Sequence, residues 1–218
     1  MPSPTLAWIG GLYLASLAYS MVRYVAFAPQ NLESLPVFVV NKGVSMAAAL
    51  CLALGFLAQR RLARGGSAKV APGDWFRAGV FGVIWHVPMS LAILEPAYFK
   101  EFFRPIEAAT ADAPAIAPRM SFEGELVFMC GGLAAALVFL LARPQWSEAV
   151  RRRISIAAML ALLAHVLAMG WCRGLNINAS HAYLPPMWVL SVLGVAVGLW
   201  WIMRTPVRAE PPAPREPR

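Results

Sequence analysis

Long apolar runs, separated by shorter polar connections, dominate the sequence. Six runs are long enough to cross the roughly 30 Å hydrocarbon core of a bilayer as helices of about 20 residues. They cover residues 7–28, 37–58, 76–98, 122–142, 154–171 and 183–203. The pattern predicts an all-α membrane protein, a six-transmembrane-helix bundle within residues 1–204. The proline-rich, polar segment 205–218 is predicted to be a disordered tail.

Composition supports a membrane protein. Hydrophobic residues make up 59% of the 218-residue chain and charged residues 14%, so the chain is far more apolar than a soluble domain. The six runs account for most of its length and leave no room for a large soluble domain. Membrane lipid is therefore the first predicted partner.

The positive charges are distributed unevenly along the chain. The second and fourth connections and the tail carry most of the arginine and lysine residues, whereas the other connections hold only Lys100, Arg104, Arg119 and Arg173. Basic residues concentrate in cytoplasmic loops, so both termini are predicted to be cytoplasmic in a multi-pass protein of the plasma (inner) membrane. The net charge of +8 then sets orientation and attracts anionic lipid, and nucleic acid is not an expected partner.

Two histidines lie inside apolar runs. His86 is in FGVIWHVPMS and His165 is in AAMLALLAHVLAM. Each lies roughly ten residues into its run, or about 15 Å at 1.5 Å per residue, which is about half of the hydrocarbon thickness. The two runs are the third and fifth, so they cross in the same direction and place the histidines at one level. Ionisable groups at this depth are costly and indicate a functional site.

Small residues accompany both histidines on the same helix face. Residues at i−7, i−4, i+3 and i+4 are neighbours on a helix. They are Gly79, Gly82, Met89 and Ser90 around His86, and Ala158, Ala161, Ala168 and Met169 around His165. Such stripes allow close approach of another helix or of a flat porphyrin. Gly82 and Ala161 are therefore candidate cofactor contacts.

Arg23 and Lys42 form a candidate basic pair in the outer half of the bundle, at similar depths on the first and second runs. One interpretation is that their long side chains reach up to the headgroups. The other is that they bind an anion, such as a haem propionate. A transporter or ligand-binding protein that uses this pair is the competing functional class. The three cysteines, by contrast, have no metal-ligand spacing.

Histidines on the third and fifth of six helices resemble the ferric-reductase-like transmembrane superfamily. This group includes ferric reductases, the six-transmembrane metalloreductases of the STEAP family, and the haem-containing membrane partner of periplasmic methionine-sulfoxide reductase. The stretch HVPMSLAILEPAYFKEFF and the later EGELVF are similar to small bacterial members. The resemblance covers about residues 7–203.

The resemblance implies one b-type haem whose iron is ligated by His86 and His165. Members with two haems carry a second histidine about four turns along each helix, where this chain has Phe99 and Ala179. His181, in the last external loop, is expected to be solvated. The flavin and NADPH domains of larger members are not found in the sequence, so FAD or quinol is expected to act only through a partner.

The predicted function is transmembrane electron transfer by a ferric-reductase-like oxidoreductase. A quinol or a separate flavoprotein reductase would be the donor, and ferric iron or a periplasmic protein the acceptor. The alternative is a cofactor-free polytopic membrane protein in which the histidines only form hydrogen bonds between helices. The sequence leaves homo-oligomerisation open.

Overall fold

A computed structural model describes residues 4–26, 32, 35–104, 119–143, 145–172 and 184–204. Within these ranges the chain is helical and has no β-strand, although Phe103 and Met120 form an isolated bridge. The long helices are α1 Pro4–Met21, α2 Val40–Ala63, α3 Pro72–Ala92, α4 Phe122–Leu141, α5 Glu148–Trp171 and α6 Met187–Arg204. A π-helical turn, Val22–Ala26, extends α1, and another, Leu35–Val39, precedes α2. The predicted tail, Ala179 and His181 lie outside the described residues.

Five of these helical segments are long and apolar enough to cross a membrane. They are Pro4–Ala26, Val37–Ala63, Phe122–Leu141, Glu148–Trp171 and Met187–Arg204. This is the pattern of a multi-pass membrane protein, as predicted. The third predicted span corresponds to α3, which is not among the five. Its hydropathy is lowered by polar residues that include Asp74, Arg77 and His86.

Consecutive helices run in opposite directions, as contacts near their ends show. Asn41 near the start of α2 bonds His86 near the end of α3. Likewise, Arg152 near the start of α5 bonds the carbonyls of Ile202 and Met203 at the end of α6. We call the end of the bundle where α2 and α6 end and α3 and α5 begin the basic end, because it carries Arg60, Arg61, Arg64, Arg151, Arg152, Arg153 and Arg204. The opposite end is the far end.

The centre of the bundle is α2. More than half of its span, 56%, is buried, against 11–33% for the other four spans, because α1, α3 and α6 all pack on it. Its small residues permit this crowding, and Ala47, Ala48, Ala49 and Cys51 are all buried. Helix α5 packs on α4 and α6, while α3 and α4 contact each other only slightly. Helices α1–α3 and α4–α5 therefore form two groups that α6 joins.

Helix boundaries follow local chemistry rather than hydropathy. Helix α3 begins with Pro72 in its first turn, where the missing N–H costs nothing. The Ser147 hydroxyl accepts a bond from Val150 N, 3.4 Å away, and so caps α5. At α4 the Ser121 hydroxyl accepts from Gly124 N at 3.1 Å. Helices α3 and α5 therefore begin four and six residues before the predicted runs.

Candidate functional site

His86 and His165 occupy corresponding positions on their helices. His86 lies six residues before Ala92, the last residue of α3, and His165 lies six residues before Trp171, the last residue of α5. At 1.5 Å per residue, both are about 9 Å from the far ends of their helices. The two helices run in the same direction, and each histidine is equally far from the far end of its own helix. Measured along the helices, both lie nearer the far end than half-way, because α3 ends six residues before the predicted run ends and α5 begins six residues before its run.

The His86 ring belongs to a small polar network between α2 and α3. Its Nδ1 lies 2.6 Å from Asn41 Oδ1. The Asn41 amide nitrogen donates to Ser90 Oγ at 3.0 Å, and Ser90 Oγ is itself 3.3 Å from His86 Nδ1. Asn41 is only 3% exposed, so its amide has little alternative to these partners. The network fixes the orientation of the imidazole.

The His165 ring is held by α4 instead. Its Nδ1 lies 2.8 Å from the carbonyl oxygen of Val127. A carbonyl can only accept, so Nδ1 carries the proton in this bond. The ring also lies against Gly131, where a Cβ would be 2.7 Å from Nδ1. Glycine at 131 is therefore what lets the imidazole approach α4 this closely.

Both histidines thus use Nδ1 for a hydrogen bond to a protein oxygen. With Nδ1–H donating, Nε2 carries the ring lone pair. Histidines that ligate metals in proteins almost always donate their other ring N–H to a carbonyl, carboxylate or water, which fixes the tautomer. His86 and His165 share this arrangement through unrelated partners, Asn41 and Val127. In this respect the two residues fit the axial ligands of a haem.

The two imidazoles face one region of the bundle. Lys42 follows Asn41, which bonds His86, and its ammonium lies over Phe99. Phe99 packs in one apolar cluster with Val127, Ala168 and Met169, which are beside His165. Nevertheless, α3 and α5 have at most marginal backbone contact. The two rings therefore border one region of the bundle although their helices do not pack together, as a flat group between two helices would require.

Lys42 extends over aromatic rings near the histidines. Its Nζ is 5.2 Å from the centroid of Phe38 and 5.0 Å from that of Phe99, distances typical of cation–π contacts. Phe99 is buried and stacks on Phe102. It lies beyond the end of α3, so the position at which two-haem proteins carry a second histidine is not on the helix here.

Arg23 has a different environment. Its side chain is 4% exposed, and its guanidinium donates to the carbonyl of Leu184, just before α6. The guanidinium also lies 5.7 Å from the ring centroid of Tyr24. Arg23 therefore ties the end of α1 to the start of α6, whereas Lys42 extends over Phe38 and Phe99. The described contacts do not bring Arg23 and Lys42 together as a pair.

The small residues beside the histidines pack against other helices. A Cβ on Gly82 would meet the Tyr13 hydroxyl and would be 2.6 Å from Ala48 Cβ, so Gly82 lies where α3 contacts α1 and α2. At Gly79 the corresponding neighbour is Leu52, at 2.7 Å. Ala161 is buried. Of the two interpretations of the stripe on α3, these contacts favour helix packing.

A cavity of about 820 Å³ opens on the basic-end side of the histidines. Its floor is formed by α2 and α6, and its walls by α3 on one side and by α4 and α5 on the other. The lining on α3 extends from Pro72 to Ile84 and on α5 from Glu148 to Ser155. We call it the basic-end cleft. It stops short of His86 and His165, so it is separate from the histidine site.

Within the described residues, no group of three or more His, Cys, Asp and Glu side chains is arranged to hold a metal ion. The described side chains alone therefore do not build a metal cage. A haem would need fewer side chains, because its porphyrin itself holds the iron and His86 and His165 would be the residues to bind it. No family model matches the sequence, and no curated protein is significantly similar to it.

Sequence reasoning did not identify Asn41, Val127 or Gly131 as parts of this site. Asn41 could have been found, because an amide inside an apolar run needs a partner. The carbonyl of Val127 could not, since any residue offers one. Gly131 is one of two adjacent glycines in α4, and a Cβ on the other, Gly132, would have no atom within 4 Å. Nothing in the sequence distinguishes the two.

Proposed function

We propose that the protein is a membrane b-type cytochrome that transfers electrons across the bilayer. In this proposal His86 and His165 ligate one haem between α3 and α5. When bound, the haem would supply one-electron redox chemistry at its iron. The protein itself would supply the Nε2 lone pairs of the two histidines, held at the same level in the bundle.

One observation carries the proposal: both imidazoles hold their Nδ1 proton on a protein oxygen, at 2.6 Å from Asn41 Oδ1 and at 2.8 Å from Val127 O. Asn41 and Val127 hold the rings in position and raise their basicity, which is the usual task of such partners around a metal. That α3 and α5 do not pack directly on each other supports a group between them.

The proposal includes six membrane spans with α3 as one of them. Its 21 residues give a length of about 30 Å at 1.5 Å per residue, sufficient for a bilayer. The arginine-rich basic end would lie in the cytoplasm, where it could dock an acidic flavoprotein reductase or receive electrons from a quinol. The acceptor, ferric iron or a periplasmic protein, would then approach the far end.

The same hydrogen bonds also support a second candidate, a cofactor-free membrane protein. The bond from His86 to Asn41 joins α3 to α2, and that from His165 to Val127 joins α5 to α4. Such bonds contribute on average about 0.6 kcal/mol each between membrane helices. In this alternative the histidines have only a structural role.

Absorption spectroscopy separates the two candidates. The protein would be expressed with haem supplied, purified in detergent, and examined before and after dithionite. We expect a Soret band and the reduced bands of a low-spin haem. His86→Ala and His165→Ala should each abolish this spectrum, whereas the control His181→Ala should retain it. Purified wild-type protein without haem, or either of the first two variants with an unchanged spectrum, would refute the ligand assignment.

A further inference from the structure

The basic-end cleft has the chemical character of an amphiphile site, and it lies outside the histidine site. Its inner walls are apolar, formed largely by Leu52, Phe56, Phe76, Val80 and Val138. Its volume of about 820 Å³ is in the range of small-molecule sites, roughly 300–1,000 Å³. A cleft of this size would not remain empty in a membrane.

The mouth of the cleft is strongly basic. Arg77, Arg143, Arg151 and Arg152 line it, against one lining carboxylate, that of Glu148. Arg77 is bonded to Asp74 at 3.0 Å, yet its side chain is still 83% exposed. Arg152 donates through Nη2 to the end of α6, while its buried Nε has no hydrogen-bond partner within the described chain. An anion at this mouth would meet several guanidinium groups.

The cleft also opens sideways between α3 and α4. Phe81 and Ile84 line it, and they are 57% and 50% exposed. Large apolar side chains exposed at the level of a membrane span face lipid. An apolar chain could therefore enter from the bilayer while an anionic headgroup stayed at the arginines, because basic residues near the membrane surface attract anionic lipid.

We propose that the basic-end cleft binds an anionic phospholipid, with its phosphate at Arg77, Arg143 and Arg152 and an acyl chain along Phe81 and Ile84. Charge complementarity selects this occupant over a neutral quinol, because four arginines line the cleft against one carboxylate and a quinol would add no negative charge. The proposal does not depend on haem.

The test compares lipid retention by two double variants of equal charge. Arg77→Gln with Arg143→Gln removes two exposed arginines from the cleft mouth, whereas Arg64→Gln with Arg153→Gln removes two exposed arginines that do not line it. Each purified protein would be titrated with phosphatidylglycerol and with phosphatidylcholine, and bound lipid counted by native mass spectrometry. Helix content by circular dichroism would confirm folding, which exposed substitutions seldom disturb.

We expect wild-type protein to hold one phosphatidylglycerol in preference to phosphatidylcholine. The cleft variant should lose affinity for it by on the order of 30-fold, as two lost arginine–lipid attractions would give, while the control stays near wild type. Ile84→Trp, which fills the apolar wall, should also displace the lipid. Equal losses in both double variants would show general surface attraction and overturn the proposal. So would retention of a neutral quinone in place of phosphatidylglycerol, or loss of bound phosphatidylglycerol when inorganic phosphate is added in its place.

Discussion

The bond between His86 and Asn41 offers the sharpest test of the histidine site. Asn41→Leu keeps the side chain's approximate size but removes the oxygen that lies 2.6 Å from His86 Nδ1. If His86 ligates iron, the loss of this acceptor frees the ring to turn and lowers its basicity. Changes to such partners typically cost 10–100-fold in metal affinity, or about 1.4–2.8 kcal/mol.

If His86 has only a structural role, the same change removes one bond between membrane helices. That loss averages about 0.6 kcal/mol and reaches about 1.7 kcal/mol at most. For Asn41→Leu the two interpretations therefore predict similar losses of stability but different losses of haem affinity. Both quantities need to be measured on the same variant.

Haem affinity would be measured by competition with a haem-binding acceptor of known affinity, and stability by unfolding the haem-free protein in sodium dodecyl sulfate. Ser90→Ala is the comparison variant, because it removes the hydroxyl that accepts from Asn41 and lies 3.3 and 3.5 Å from the two ring nitrogens, but it keeps the Asn41 oxygen on Nδ1. We expect haem affinity to fall at least tenfold in Asn41→Leu and less in Ser90→Ala. Wild-type haem affinity in Asn41→Leu, with reduced stability alone, would refute the positioning role of Asn41.

Two further predictions concern the rest of the site. Gly131→Ala should displace the His165 ring, since a Cβ there would be 2.7 Å from Nδ1, and should reduce haem content in the purified protein; Gly132→Ala, with no atom within 4 Å, should not. Equal haem in both variants would contradict the contact. Lys42→Met should lower the haem midpoint potential in a redox titration, because a nearby cation disfavours the more positive oxidised iron. Arg23→Met should leave the potential nearly unchanged, since its guanidinium bonds Leu184; a larger shift there than in Lys42→Met would reverse this assignment.

The sequence was sufficient to predict the helices and the corresponding positions of His86 on α3 and His165 on α5. Apolar length is set by bilayer thickness, so runs such as 122–142 correspond closely to a helix, here Phe122–Leu141. Helix starts were less predictable, because hydropathy marks the apolar span whereas the helix begins at its cap. Glu148 and the arginines that follow it are good helix formers, and they extend α5 beyond its apolar run.

The partners of the candidate residues could not be predicted, because they depend on which helices pack together. Equal depth suggested a pair of Arg23 and Lys42, yet depth says nothing about the direction of a side chain around its helix. In the fold, Arg23 faces α6 and Lys42 faces Phe38 and Phe99. Similarly, a glycine at position 82 could pack against either a helix or a porphyrin. Only the fold shows that Ala48 of α2 is its neighbour.

The central position of α2 has a consequence for how the chain assembles during synthesis. This helix enters the membrane second, but α6, which covers one of its faces, enters last. On that face, Leu50 and Ala53 pack against two glycines of α6. A Cβ on Gly194 would be only 2.7 Å from Leu50, and a Cβ on Gly198 only 3.1 Å from Ala53. No earlier helix provides this fit. Until α6 has been synthesised, that face of α2 remains open to lipid. A nascent chain that stops before α6 would hold α1–α3 and α4–α5 without the helix that joins them.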